Sequence, residues 1–430
     1  MKIYIEPKKN EWTEIIQRPE MNYTQLRDYV SEIIFDVKQN GDAAVKKYAL
    51  QFDHTSLDNL KITEQEIAEA LLLVDEELKN AIEIARKNIE KFHTSQIEKA
   101  EVIETMNGVK CWRKSIGIQK VGLYIPGGTA PLFSTLLMLT IPAQLAGCEE
   151  IIVCTPADKN GKLDPVILYV ANTLGLKNVY KIGGVQAIAA MAYGTEAIPA
   201  VYKIFGPGNK YVTAAKQIIS SEGIAIDMPA GPSEVAVYAD ESCNPAFVAS
   251  DLLSQAEHGQ DSQVLLVTSS NKIIKQVKVE IEVQLSSLNR KKEIEGCLIN
   301  SRLVVLANID DAFQLINEYA PEHLIIASDN AESLAGKVIN AGSVFIGHYS
   351  AESIGDYASG TNHTLPTNGF AKAFSGVSLD SFIKKITYQQ VSKTGLQKIG
   401  NVVERMARAE GLTAHENAIT IRLQNLENES

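Results

Sequence analysis

The most regular stretch of this chain is residues 150–194, EIIVCTPADKNGKLDPVILYVANTLGLKNVYKIGGVQAIAAMAYG, where short apolar runs alternate with longer helical ones. IIVCTPA and NVYKIGG are typical of buried strands, whereas DPVILYVANTLG and VQAIAAMAYG have the length and composition of helices. Strands that alternate with helices in this way predict a parallel sheet with helices on both faces.

The same alternation continues on both sides of this stretch. It runs on through AVYKIFG and NKYVTAAKQIISSEG to IAIDMPAG, and it resumes after Ser233 with VAVYAD, QVLLVTSS, LVVLAN, LIIASD and SVFIG. Two such blocks predict an α/β protein with two doubly wound, incomplete Rossmann-like lobes, although their sequences are too dissimilar to identify a repeat. In sheets of this type, ligands are expected at the carboxyl ends of the strands.

The regions that flank these blocks are predicted to be smaller and mainly helical. Tyr23–Phe52 and Thr63–Phe92 carry apolar residues at helical spacing, and Asn107-Gly108 marks a hairpin within 103–125. Strands are expected to stop at about Ser375, where a charged, helical tail begins. The expected domains are an arm at 1–20, a first lobe at 21–122 plus 234–375, a second lobe at 123–233, and a helical region at 376–430.

The composition is that of a globular protein with an acidic surface. Of 430 residues, 45% are apolar and 22% are charged, and the formal net charge of −11 disfavours nucleic acid and membranes as partners. Five cysteines without a CxxC pair indicate reduced thiols, and the start of the chain lacks an apolar signal segment, so we expect a cytoplasmic protein. The uncharged stretch 130–148 contains two prolines and is interpreted as a buried helix rather than a membrane span.

Glycine-rich turns follow several predicted strands: GLYIPGG at 122–128, GG at 183–184, GPGN at 206–209 and AGPSE at 230–234. Glycine lets the backbone approach a ligand closely, and helices that start at Val185 and Asn209 would direct free N–H groups at a pyrophosphate. Each turn alone is better explained as an ordinary loop, but four together favour a nucleotide-sized ligand. The G-x-G-x-x-G fingerprint is absent, so a dinucleotide such as NAD would not be held in the usual way.

Candidate metal ligands are scattered along the chain. Gln255 and His258 in SQAEHG are three residues apart and so lie on one helix face. Asp356 follows the SVFIG strand, and the pattern T-x-x-E at 413–416 predicts a capping box that places His415 in the first turn of a helix. Nitrogen and oxygen ligands of this kind suit zinc. Taken singly, each is more often a surface or hydrogen-bonded residue, and sequence distance does not show that they meet.

The adjacent residues Glu322 and His323, between a helix and the LIIASD strand, are candidates for acid–base chemistry. At the rim of a sheet, such a pair can divide the activation of water and the removal of a hydroxyl proton between them. The alternative is a helix carboxyl terminus with a solvated glutamate and a histidine near the helix dipole. His363 in SGTNH also has two interpretations, a substrate contact or a residue that braces its loop.

Taken in order, these segments resemble the histidinol dehydrogenase family. The resemblance rests on eight segments from Gly122 to the tail: GLYIPGG, GGVQAIA, FGPGNKYV, IDMPAGPSE, DLLSQAEHG, EYAPEHL, SIGDYASGTNH and EGLTAHENA. It implies oxidation of L-histidinol through L-histidinaldehyde to L-histidine with reduction of two NAD⁺, the final step of histidine biosynthesis. It also implies a zinc ion in each subunit and a homodimer with shared active sites.

The resemblance assigns roles to particular residues. It implies that His323 is the base, that Glu322 activates water, and that zinc is held by Gln255, His258, Asp356 and, in the partner's site, by His415. The implied substrate contacts are Ser233, Gln255, His258, His323, Asp356, Glu410 and His415. The implied NAD contacts are Tyr124, Gln186 and Asn209.

Three alternatives stand beside this interpretation. A binding or regulatory protein could keep the fold without turnover, although Glu322, His323 and the ligand set are all present. A zinc- and NAD-dependent dehydrogenase of the same family could act on another small amino or sulfonated alcohol. A cysteine thiohemiacetal could replace attack by water, but Cys148 precedes two glutamates and Cys154 lies in a predicted strand, and neither setting favours a thiolate.

Overall fold

The computed structural model describes residues 1–18, 23–127 and 131–428. Gly128, the last residue of the GLYIPGG turn, and residues 19–20 of the expected arm lie outside these ranges. The chain divides into two compact units, with unit 1 at Met1–Gln96 and Ile118–Phe382 and unit 2 at Ile97–Gly117 and Ile383–Ser430. The finer lobe boundaries expected from the sequence stay a prediction.

Strands in the described ranges form two parallel sheets and one antiparallel sheet. They are β1 Lys2–Ile5, β2 Val102–Met106, β3 Val109–Gly117, β4 Lys120–Tyr124, β5 Glu150–Cys154, β6 Asn178–Tyr180, β7 Lys203–Phe205, β8 Ala225–Ile226, β9 Glu234–Ala239, β10 Gln263–Thr268, β11 Arg302–Val305, β12 His323–Ala327, β13 Ser343–Ile346 and β14 Ile383–Val391.

Helices of the same ranges cover the parallel sheets and make up much of unit 2. They are α1 Trp12–Ile15, α2 Tyr23–Phe52, α3 Glu64–Leu73, α4 Glu76–Thr94, α5 Phe133–Leu145, α6 Pro165–Thr173, α7 Gly184–Tyr193, α8 Lys210–Ser221, α9 Pro245–Ala256, α10 Asn271–Leu285, α11 Lys291–Ile299, α12 Ile309–Tyr319, α13 Ala331–Ala335, α14 Glu352–Tyr357, α15 Lys393–Ala409 and α16 Thr413–Asn428. The helix expected over 63–92 is two helices, because Val74 is extended and Asp75 caps the start of α4 by accepting from the Leu78 N–H.

The two parallel sheets share one strand order. The five-stranded sheet runs β6-β5-β4-β7-β8, and the six-stranded sheet runs β1-β11-β10-β9-β12-β13. Numbered by appearance within each lobe, both orders are 3-2-1-4-5, and β1 is added at one edge of the larger sheet. This confirms the expected class, an α/β protein with two doubly wound, incomplete Rossmann-like lobes. It also identifies a structural repeat that the sequences of the lobes do not show.

Apolar side chains fill both faces of each parallel sheet. Buried residues of α2 join the core on one face of the five-stranded sheet, and those of α4 and α5 join the core on the other. Residues 133–145 of the uncharged stretch form the helix α5, whose residues Ser134–Ala143 are all buried, as the sequence predicted, whereas residue 130 lies outside the described ranges. Across the described ranges, no helix is long and apolar enough to cross a membrane.

Unit 2 contains the antiparallel sheet β14-β3-β2 and the helices α15 and α16. The hairpin of β2 and β3 around Asn107-Gly108 confirms the sequence prediction. The expectation that strands stop at about Ser375 is wrong, because β14 pairs along its whole length with β3 at 109–117. Its sequence IKKITYQQV is mostly polar and exposed, so it lacks the apolar alternation that predicts a strand. The strand depends instead on pairing with a distant segment of the chain.

Candidate active site

A cavity of about 440 Å³ lies between the two parallel sheets. On one side it is lined by Pro126 and Asn209, in turns that follow the carboxyl ends of β4 and β7, as expected for a doubly wound sheet. On the other side it is lined by Ser233, Glu322 and His323, which stand at the amino ends of β9 and β12. The cavity therefore meets the carboxyl ends of strands in the smaller sheet, where ligands are expected, but the amino ends of strands in the larger sheet.

The structure brings most of the predicted site residues to this cavity. The predicted residues that line it are Asn209, Ser233, Gln255, His258, Glu322, His323 and Asp356. Tyr124 and Gln186 are buried in the core of the five-stranded lobe, and Glu410 and His415 belong to unit 2.

The side chains of His258, Glu352 and Asp356 form a group that could hold a metal ion. One ligand atom from each side chain lies within 4.8 Å of the others. Glu352 was not among the ligands predicted from the sequence, although it precedes Asp356 by four residues and so shares its helix face. That spacing was the available signal.

Several buried polar atoms beside this group have no hydrogen-bond partner in the described part of the chain. Gln255 is fully buried in the last turn of α9, and both its Oε1 and its Nε2 are unpartnered. The Oδ1 of Asp356 and the Oε2 of Glu352 are unpartnered as well. Buried polar atoms are normally paired, so this donor set fits a bound cation or a polar ligand.

Close packing of α14 against the sheet places two of these carboxylates. A Cβ on Gly355 would lie 2.6 Å from the ring of Phe345 in β13, so this glycine lets the helix lie directly on the strand. Glu352 and Asp356 stand on either side of that contact in sequence. Gln255 lies in the last turn of α9, a helix that starts with Pro245 after an Asn244 cap. His258 lies in the turn after this helix, so the prediction that both residues lie on one helix face is wrong.

Glu322 and His323 are almost completely buried at the cavity wall. The Glu322 Oε2 atom accepts a hydrogen bond from the backbone N–H of Glu234 at 2.9 Å. The His323 Nε2 atom lies 3.4 Å from Asp356 Oδ1, and its Nδ1 atom lies 3.7 Å from Glu322 Oε2 and 3.8 Å from Glu352 Oε1. Glu322 is therefore not the solvated glutamate of the alternative interpretation.

Burial and charge shift the proton affinities of this pair. Burial raises the pKa of Glu322 to about 8. Burial alone lowers the pKa of His323, but the carboxylates of Glu352, Glu322 and Asp356 outweigh it and raise that pKa to about 10. Strongly shifted groups that share a cavity are typical of sites where protons are transferred.

A buried ion pair supports the backbone that holds Glu322. The Arg18 guanidinium lies 2.6 Å from the Glu234 carboxylate and stacks over the Tyr319 ring at 4.1 Å. The ion pair holds Glu234 in place, and the backbone N–H of Glu234 donates to Glu322. This network therefore fixes the orientation of the Glu322 carboxyl group.

Tyr124, Gln186 and Asn209 lie toward the carboxyl end of the five-stranded sheet. The Tyr124 hydroxyl oxygen accepts from the Gly184 N–H at 3.1 Å. The Gln186 Nε2 lies 3.5 Å from Asp53 Oδ2, and its buried Oε1 has no partner among the described residues. The Asn209 Oδ1 caps α8 by accepting two N–H groups of its first turn, at 3.0 and 3.2 Å.

His363 lines the cavity, but both of its ring nitrogens have protein partners. Its Nδ1 lies 3.0 Å from the backbone oxygen of Asp356, and its Nε2 lies 2.9 Å from the Thr135 hydroxyl. A carbonyl oxygen only accepts, so Nδ1 carries the proton and Nε2 accepts from Thr135. Of its two interpretations, this geometry favours the residue that braces its loop.

Glu410 and His415 are exposed on unit 2, at the end of α15 and in the first turn of α16. The capping box predicted to start α16 is wrong. The N–H of Glu416 donates to the Leu412 carbonyl, and its carboxylate accepts from Arg408 at 2.8 Å. The helix begins where the sequence placed it, through different contacts.

The two cysteines considered as nucleophiles are thiols in apolar surroundings. Cys154 is fully buried in β5, and burial raises its pKa. Burial also raises the pKa of Cys148 to about 11. Neither setting supplies the positive charge that a reactive thiolate needs.

Comparisons with known proteins agree along nearly the whole chain. The family model described as histidinol dehydrogenase matches residues 16–423. A histidinol dehydrogenase from Bacteroides thetaiotaomicron is 56% identical over 426 residues, which are 99% of this chain and 100% of that protein. One from Xanthomonas euvesicatoria is 49% identical over 413 residues, 96% of each chain. The crystal structure of histidinol dehydrogenase from Elizabethkingia anophelis is 54% identical and matches with a TM-score of 0.97 over 99% of both chains. The chain therefore belongs to the histidinol dehydrogenase family.

Proposed function

We propose that this protein oxidises L-histidinol through L-histidinaldehyde to L-histidine, with the reduction of two NAD⁺. Membership of the family supports this activity. The observation that carries it is the buried pair of Glu322 and His323, placed in one cavity beside a set of unpartnered nitrogen and oxygen ligands. Proton transfer, substrate chelation and hydride transfer all need groups within reach of one carbon atom.

Zinc fits the donor set at this cavity. Gln255, His258 and Asp356 would hold it, and the unpartnered atoms of Gln255 and Asp356 support that choice. When bound, the metal would be chelated by the imidazole and amino nitrogens of histidinol and so would orient its carbinol carbon. His415 from a second copy of the chain would complete the coordination, which agrees with the exposure of that residue on its own subunit.

His323 is the proposed base. It accepts the hydroxyl proton of histidinol while the carbinol hydride leaves for the nicotinamide of NAD⁺, which yields the aldehyde. The carboxylates around His323 raise its pKa to about 10 without a cation. A dication held by Asp356 would offset part of that negative charge and so would lower the pKa of His323 toward neutral pH.

Glu322 is proposed to act in the second oxidation. It accepts a proton from water as the water oxygen attacks the aldehyde carbon, while protonated His323 returns its proton to the carbonyl oxygen, which gives the hydrated aldehyde and a neutral His323. His323 then takes a hydroxyl proton of this diol, and a second hydride reduces a fresh NAD⁺. Glu410 of the second copy would bind the substrate ammonium by a charge-assisted hydrogen bond, and Tyr124, Gln186 and Asn209 would contact NAD⁺.

The test is an assay of NADH formation with L-histidinol. We expect two NADH per histidinol, loss of activity with a strong chelator, and recovery on adding zinc. If kcat/KM with another amino alcohol or a sulfonated alcohol were equal or higher, the substrate assignment would change and the reaction class would stay the same. No NADH with any of these alcohols would reject the activity, and full activity of metal-free protein would reject the zinc assignment.

A further inference from the structure

One buried carboxylate beside His323 has no role in the proposed reaction. Glu352, the first residue of α14, is 1% exposed. Its Oε1 lies 3.8 Å from His323 Nδ1, and its Oε2 has no hydrogen-bond partner in the described ranges. An ionisable side chain this deeply buried is rare unless a charged partner or a ligand compensates it.

The two ring nitrogens of His323 lie in different surroundings. The Nε2 atom is on the side of Asp356, which lines the cavity, at 3.4 Å. The Nδ1 atom is on the side of Glu322 and Glu352. A histidine that takes a proton through Nε2 must carry its own proton on Nδ1, and an acceptor at Nδ1 sets that tautomer.

Glu322 is the poorer acceptor for this proton. Its Oε2 is the atom nearest to Nδ1, and the same atom already accepts from the Glu234 N–H at 2.9 Å. Glu322 also lines the cavity, whereas Glu352 stands outside its lining. Distances of this size between catalytic groups commonly shorten when substrate binds.

We propose that Glu352 is a positioning residue that accepts a hydrogen bond from His323 Nδ1, directs Nε2 at the substrate hydroxyl, and stabilises the imidazolium formed during hydride transfer. This role rests on the proposed function. It differs from a role as a metal ligand, which the proximity of Glu352 to His258 and Asp356 would also permit. The positioning role is favoured because Gln255, His258 and Asp356 line the cavity and Glu352 does not.

The first experiment compares Glu352→Gln and Glu352→Asp with wild type. We expect Glu352→Gln to lower kcat by about 100-fold, to change the KM for histidinol by less than about threefold, and to keep one zinc per subunit. Its Tm should be unchanged or raised, because the neutral amide removes a buried charge. Glu352→Asp keeps the charge and should recover part of kcat. Glu332→Gln, on the exposed side of α13, is the matched control.

The second experiment asks whether Glu352 acts through His323. The double variant with His323→Asn should be no slower than His323→Asn alone, since the acceptor has nothing left to orient. The proposal would be overturned by additive losses of kcat in the double variant or by an unchanged kcat in Glu352→Gln. It would also be overturned if Glu352→Gln lost its zinc and added zinc restored its activity. If Glu352→Gln does not fold, Glu352→Asp must show the same dependence on His323, or the role is rejected. Inactive wild type and Glu332→Gln would instead reject the proposed function.

Discussion

Glu322 combines two properties that rarely occur together, almost complete burial and direct access to a reaction cavity. Burial raises its pKa to about 8, and the single hydrogen bond from Glu234 favours the charged form. A carboxyl group of this kind exchanges protons with water near neutral pH, which suits it to a hydration step.

Replacing Glu322 should separate the two oxidations. In Glu322→Gln, His323 remains to take the alcohol proton, so we expect NADH from the first step and accumulation of the aldehyde. The steady-state kcat for the full reaction should fall by about 100-fold or more. Rapid mixing with excess enzyme measures NADH per histidinol, which should approach one in the fast phase. Two NADH at the wild-type rate would contradict the role.

Asp251 provides a test of pH-dependent stability. Burial raises its pKa from 3.8 to about 7. The folded chain therefore binds this proton more tightly than the unfolded chain, so the contribution of Asp251 to stability falls as pH rises from about 4 to about 7. The Tm of Asp251→Asn should exceed that of wild type by a margin that grows from pH 5 to pH 8. A constant margin would show that Asp251 does not titrate in this window.

The turn after β7 is held in place by contacts with the elements that pack against it. This turn lines the cavity, and its first residue, Gly206, has a φ of +124°. A Cβ there would lie 2.0 Å from the Tyr124 carbonyl oxygen, so only glycine fits. The Asp227 carboxylate accepts from the Gly206 N–H at 2.8 Å, and Lys216 donates to the Gly206 carbonyl at 2.8 Å.

Breaking the buried pair of Lys216 and Asp227 should loosen this turn. The side chains are 5% and 1% exposed, so Asp227→Asn leaves a buried ammonium without its counter-charge. We expect a loss of about 3–5 kcal/mol in the free energy of unfolding, and a raised KM for NAD⁺. Asp310→Asn, which breaks the exposed pair of Lys337 and Asp310, is the control and should cost less than about 1 kcal/mol. Equal losses in a denaturant titration would contradict the argument.

The whole molecule repeats one strand order twice, and the two sheets present opposite ends to the cavity. The smaller sheet contributes carboxyl-end turns, which suit a nucleotide, and the larger sheet contributes the amino ends that carry Ser233, Glu322 and His323. One cavity is thereby lined by a glycine-containing turn of one lobe and by the titratable pair Glu322 and His323 of the other.

The proposal that His415 completes the site of a second copy predicts complementation between inactive chains. His415→Ala and Glu322→Ala should each be inactive alone. After unfolding, mixing and refolding, one site of each mixed dimer has both residues intact, so about a quarter of wild-type activity should return for random pairing. The mixed dimer must be verified with two affinity tags. A verified mixed dimer without activity would place His415 and Glu322 in the same subunit's site.

Local patterns were enough for several features of this protein. Alternating strands and helices predicted the two doubly wound lobes, and Asn107-Gly108 predicted its hairpin, because these features depend on neighbours in sequence. Long-range contacts settled the rest. The strand β14 exists because β3 pairs with it, the larger sheet meets the cavity with its amino ends, and Glu352 meets His323 because Gly355 lets α14 lie on β13. Such contacts join residues that are far apart in the chain. Their free energy depends on both partners, so the periodicity of a single segment does not predict them.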